Sequence, residues 1–164
     1  MNIVKKIDNF YLLLILMLAL LVRIYPLNYP FFTHEEAQIA ARGYSLATEG
    51  KDELGRFFPL IFNSLTDYKL PTTSYISAFG IKLFGKGDFG VRIPFIIIGV
   101  SIVFFIHRIS KVFNERYEFG IFAALLAALS PPLIFLSRIP SEVVVQIFIL
   151  LLLFYILTRE KINL

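Results

Sequence analysis

Thr33-His34-Glu35-Glu36-Ala37 sets two adjacent carboxylates and an imidazole directly behind the first apolar stretch of a chain otherwise rich in hydrocarbon side chains. Low-dielectric material beside a carboxylate disfavours its ionised form, which suits it to take a proton from an incoming hydroxyl or amine. The two acids are not equivalent. Thr33 followed three residues later by Glu36 is a capping-box pattern, and Gly50 stands where a helix would end. Between them Ala37, Ala40, Ala41, Tyr44 and Ala47 recur at helical spacing. Glu36 therefore has structural work at the helix start, where acids also meet the positive end of the dipole. Glu35 is not needed for the cap and is the candidate general base. His34 to Gln38 begins like a zinc-peptidase helix, but Gln38 occupies the place of the second histidine, which removes that reading. A divalent ion held by His34 with the two carboxylates stays open, against a surface or capping histidine.

Three further groups have suitable chemistry. Lys69, between Tyr68 and Leu70-Pro71, precedes a second helical stretch at 72–84 whose N-terminus would add a positive dipole end. Together they suit a phosphate oxygen, the alternative being a solvated or snorkelling lysine. Arg138 and Glu142 flank the turn Ile139-Pro140-Ser141. They either pair across it or, as ionisable groups beside the membrane, orient a phosphate or a metal-bound group.

These residues need elements to hold them. With 164 residues, 57% of them hydrophobic, 18 Phe and a mean hydropathy of +0.75, the chain carries more apolar surface than one soluble core could bury. The reading is an all-α integral membrane protein with about four spans, near 7–25, 91–109, 117–136 and 139–157. Each approaches the roughly 20 residues needed to cross the hydrocarbon. The second and fourth are short in their uninterrupted runs and rely on flanking residues such as Arg92 snorkelling. Pro131-Pro132 interrupts the third near its outer end, and Pro94 falls close to the start of the second, where proline is tolerated.

Basic residues at Lys5 and Lys6, at Arg108, Lys111 and Arg116, and at Arg159 and Lys161 put those segments, and both termini, on the cytoplasmic side. The loop 26–90 then faces outward and carries short membrane-surface helices. Within it 51–56 reads as a turn and 57–60 as a short extended piece, while Gly85, Gly87 and Gly90 loosen the chain before the second span. No signal-peptide cleavage pattern follows Val22, so the first segment is expected to remain as an anchor. The net charge of +4 is spread along membrane edges and the loop instead of forming a block, which argues against nucleic acid. The absence of cysteine rules out a thiol nucleophile, a thiolate metal site and a disulfide framework.

Taken in order, the motifs resemble the N-terminal module of a GT-C type, polyprenyl-phosphate-sugar-dependent glycosyltransferase of family 39, the group of protein O-mannosyltransferases and aminoarabinose transferases. His34-Glu35-Glu36-Ala37 resembles that family's acidic motif, usually Asp-Glu followed by a small residue. The stretch 48–59 is similar to the segment leading out of its first surface helix, and Asp67-Tyr68-Lys69-Leu70-Pro71 resembles its Tyr-Lys-Pro-Pro motif. Phe84-Gly85, Val91-Arg92-Ile93-Pro94, Leu129-Ser130-Pro131 and Ser137-Arg138 with Glu142 complete the series. The resemblance spans 23–142 and implies sugar transfer from a polyprenyl-phosphate-linked donor to an acceptor at the outer face of the cell membrane, within the cell envelope. It makes Glu35 the base and gives Lys69 with Tyr68 the lipid phosphate. Arg138, Glu142 and Glu36 would shape the donor or metal environment. It also implies that 1–164 is one membrane module of a longer enzyme, working with helices in cis or in a second chain. The alternative is a non-catalytic membrane protein that binds a polyprenyl phosphate or scaffolds a partner transferase.

Overall fold

The computed structural model describes residues 2–27, 33–63, 68–113 and 116–162; the side chains of 2, 3, 63, 68, 69 and 159–162 are not among those described. In chain order the elements are α1 (Asn2–Ile24), α2 (His34–Glu49), β1 (Phe62–Asn63), β2 (Tyr68–Lys69), α3 (Thr72–Phe84), α4 (Asp88–Phe113), α5 (Tyr117–Leu129), α6 (Pro131–Arg138) and α7 (Glu142–Ile162). The two short strands pair antiparallel, Phe62 with Lys69 and Asn63 with Tyr68.

Within α1, Val4–Ile24 spans 21 residues, and α4 spans 26; both are long and apolar enough to cross a membrane. α5 and α6 pass the same test only as a pair, bent by 57°. The bend falls at Ser130, with Pro131 and Pro132 opening α6, because proline cannot continue the hydrogen-bond ladder. The expected fourth span begins at Glu142, after the joint Ile139-Pro140-Ser141, and its apolar part is the shorter stretch Glu142–Thr158.

α4 is the hub and packs on α1, α3, α5, α6 and α7. Val103 meets Ile15 and Ala19 of α1 and Ala124, Ala127 and Ala128 of α5; Phe95 and Ile102 meet Val144 and Val145 of α7. Large side chains such as Phe10, Leu21, Phe122, Leu126 and Leu150 are exposed. Small residues inside and large apolar ones outside is the pattern of helices packed in lipid. α3 shows it most plainly. Its apolar stripe of Phe79, Leu83 and Phe84 faces outward, and Ser74, Ser77, Ala78 and Gly80 are buried.

Three sequence expectations need correction here. α4 begins at Asp88, so Pro94 lies in its interior. Proline has no N–H for the carbonyl of Gly90, and Gly80 of α3 packs over that carbonyl so closely that a Cβ would lie 2.2 Å from it. Gly90 is likewise a contact residue instead of a loosening one: a Cβ there would strike the Gly85 carbonyl at 1.9 Å. Arg92, expected to snorkel, is wholly buried, because it has an acid to meet inside.

Candidate functional site

Thr33 and Glu36 form the capping box that their spacing predicts. Thr33 Oγ1 accepts from the Glu36 N–H at 3.2 Å and Glu36 Oε2 accepts from the Thr33 N–H at 3.1 Å. At the other end Gly50 takes the left-handed conformation, φ 69°, and closes the helix on the Leu46 carbonyl. This frame gives the neighbouring acids different surroundings. Glu36 is buried and its Oε1 lies 3.1 Å from Arg92 Nη2. Arg92 Nη1 also donates to the Leu27 carbonyl at 2.6 Å, so one guanidinium ties the end of α1 and the start of α2 to α4.

Glu35 is exposed and turns into a cleft of about 260 Å³. Gln38, Ile39 and Arg42 of α2 form the same wall, Thr73 and Ser74 in the first turn of α3 form the floor, and 139–143 with Glu142 close the far side. Glu142, from the opposite end of the sequence, is half-buried there. Among the described residues neither Glu35 nor Glu142 has an ion-pair partner. The cleft's cation is Arg42, which sequence reasoning missed. Its Nε lies 2.7 Å from Glu53 Oε1, and its guanidinium sits 5.5 Å from the ring of the wholly buried Phe62. The signal that could have marked it was a basic residue on the buried side of an otherwise small-residue helix.

The turn that brings Glu53 to Arg42 is the one expected at 51–56. Asp52 Oδ1 accepts from the Leu54 N–H at 3.0 Å and the Arg56 N–H at 2.8 Å, and Gly55 supplies φ 75°. Burial alone would raise the Asp52 carboxyl. The hydrogen bonds from the Arg56 backbone and guanidinium and from Leu54 outweigh it and hold the group below its ordinary range. Residues 57–60 are less extended than expected, since Phe58 adopts φ 41° where its ring packs over Gly50.

Arg138 does not join the cleft's lining; its Nη2 donates to the Pro26 carbonyl. Tyr68 and Lys69 form β2 just before α3, and their side chains lie outside the described ones. Of the two readings left open for His34, the structure shows a contact within α2 and not a cluster with Glu35 and Glu36. His34 Nε2 contacts Gln38 at 2.9 Å, the oxygens of Glu36 are taken, and among the described residues no three His, Asp or Glu side chains converge.

The cleft thus offers two carboxylates and a guanidinium beside hydroxyls and a helix N-terminus. That set can accept a proton at one point and meet an anion at another. A family model described as dolichyl-phosphate-mannose-protein mannosyltransferase matches residues 69–162. No curated protein and no solved structure matches the chain.

Proposed function

From the premise that the chain belongs to the dolichyl-phosphate-mannose-protein mannosyltransferase family, a family of membrane glycosyltransferases using polyprenyl-phosphate-linked sugars, we propose that it carries the acceptor-activating part of such a transferase. The observation that supports this most is the separation of the paired acids. Glu36 is consumed by the cap and by Arg92, while Glu35 stands in a cleft opposite Glu142.

In this reading Glu35 removes the proton from the acceptor's hydroxyl or amine as its lone pair bonds to the anomeric carbon. The bond from that carbon to the phosphate oxygen breaks, and its electron pair leaves with the lipid phosphate. Inversion follows from attack on the face opposite the leaving group. Lys69 with Tyr68, entering on β2 beside the start of α3, and Arg42 in the cleft meet the phosphate charge. Glu142 shapes the donor side, Arg138 holds the segment after α1, and Glu36 orients Glu35 by fixing the helix start. Four spans, with α2 and α3 at the outer membrane surface and both termini cytoplasmic, complete the arrangement. Further helices, in cis or in a second chain, belong to the same reading.

The test is transfer from a polyprenyl-phosphate-linked sugar by membranes containing the protein. Glu35→Gln is expected to lower kcat/KM by about 10² to 10⁴ while leaving expression and thermal midpoint unchanged. Unaltered turnover overturns the assignment. Donor binding that depends on Lys69 with no transfer under any condition would establish the non-catalytic alternative.

A further inference from the structure

Arg23, in the last turn of α1, is a cation with no part in the chemistry proposed above. It is wholly buried, and among the described residues no carboxylate pairs with it. Its partners are neutral and belong to three helices. Nη1 donates to the Ala19 carbonyl at 3.0 Å and to the Ala128 carbonyl at 3.1 Å, and Nε donates to Ser137 Oγ at 3.0 Å. Ser137 Oγ donates in turn to the Leu133 carbonyl at 2.6 Å.

The choice of Ala128 has a covalent cause. Ala128 lies four residues before Pro132, whose nitrogen bears no hydrogen, so the carbonyl that would close this helical turn loses its donor. In apolar surroundings such a carbonyl must be met by another group. Arg23 meets it, and the same guanidinium grips α6 on the far side of the break through Ser137. α4 closes over the joint at Gly99, where a Cβ would lie 2.3 Å from Ser137 Cβ and 3.2 Å from Arg23 Nε.

We propose that Arg23 is a positioning residue for the cleft: it fixes the 57° break between α5 and α6 and thereby sets the wall 139–143, which carries Glu142 opposite Glu35. The proposal rests on the reading of that cleft as the site, but its test does not use transfer. The chain has no cysteine, so Glu35→Cys with Glu142→Cys gives a unique pair whose cross-linking by a short bis-thiol reagent in detergent reports the width of the cleft. Phe105→Cys with Tyr155→Cys, at rings 5.5 Å apart between α4 and α7, is the control pair.

Arg23→Gln in the full chain is expected to lower the 35–142 yield by about tenfold, as effective concentration falls with misplacement, and to leave the control pair unchanged. Pro132→Ala supplies an N–H four residues after Ala128, a competing donor for that carbonyl once the helix can run on through Ser130. In that background the additional effect of Arg23→Gln should shrink to about twofold or less. An unchanged 35–142 yield overturns the proposal. So does a loss shared equally by both pairs, which would make Arg23 a general stabiliser. A protein that cross-links as expected but transfers no sugar would sink the functional reading and leave this one standing.

Discussion

Two acidic regions, far apart along α1 and α4, treat charge in opposite ways. Near the start of α1, Asp8 is 1% exposed, and both its oxygens are engaged by α4: Oδ1 lies 2.8 Å from His107 Nε2, and Oδ2 meets Lys111 Nζ. Past the other end of α1, Glu35 and Glu142 face a common cleft without an ion-pair partner among the described residues. A carboxylate enclosed in a membrane protein needs a partner or a purpose. Asp8 has the first; the function proposed above gives the open pair, of which Glu35 is exposed, the second. Glu36 shows that the rule follows surroundings and not position, since one residue beyond Glu35 it is enclosed and neutralised just as Asp8 is.

The sharpest way to break this contrast is to remove Asp8. Asp8→Ala strands a buried imidazole and an ammonium between α1 and α4, a loss of about 3–5 kcal/mol by analogy with other broken buried pairs. The thermal midpoint in detergent should fall sharply, and transfer per folded molecule should stay the same, the reverse of the outcome expected for Glu35→Gln. An unaltered midpoint would mean that enclosure does not separate the two kinds of acid.

A smaller effect is expected at Glu36. Glu36→Gln can still accept from the Thr33 N–H, because a capping box tolerates either residue, but it removes the charge that faces Arg92 Nη2. A destabilisation of about 2–3 kcal/mol is expected, with Glu36→Ala costing about 1 kcal/mol more through loss of the cap. Equal midpoints for the Gln and Ala variants would show that the hydrogen bond to Thr33 contributes nothing and that the Arg92 pair alone fixes this end of α2.

How much of this was readable depended on sequence separation. The capping box, Gly50, the turn around Asp52 and the bounds of α3 are local, and each was legible because its partners lie within a few residues. The break at Pro131-Pro132 was legible for the same reason. Arg23, Arg42, Arg92, Asp8 and His107 were not, because their meaning depends on groups brought from distant helices: Ser137 for Arg23, Glu36 for Arg92, Asp8 for His107. The spacing of Phe79, Leu83 and Phe84 marks an apolar stripe on α3, but nothing local says whether such a face turns inward or toward lipid. Only the small residues opposite it, packed against α2 and α4, settle that. In the site, Glu35 was separable from Glu36 by capping logic, whereas the meeting of Glu35 with Glu142 required the fold.

Asp52 tests the contrast where it is weakest, because it is enclosed like Asp8 but its partner Arg56 is 42% exposed in the side chain. Its carboxyl is held below the ordinary range by hydrogen bonds that overcome burial. A depressed carboxyl contributes stability that is fully present above the unfolded value, about 4, and is lost as pH falls through the folded value. The turn should therefore be intact at pH 5 and loosen well below 4. Hydrogen exchange of the Leu54 and Arg56 amides, corrected for intrinsic rates, reads this directly: protection at pH 5, its loss on acidification, and no such pH dependence in Asp52→Asn. The global midpoint should move little, since a half-exposed pair is worth about 1 kcal/mol at most. Equal protection of both amides across the whole acid range would mean that the backbone geometry holds the turn without the charge. Loss that spreads to the Arg42–Glu53 contact would instead tie this turn to the cleft, placing Asp52 with the acids that support the site.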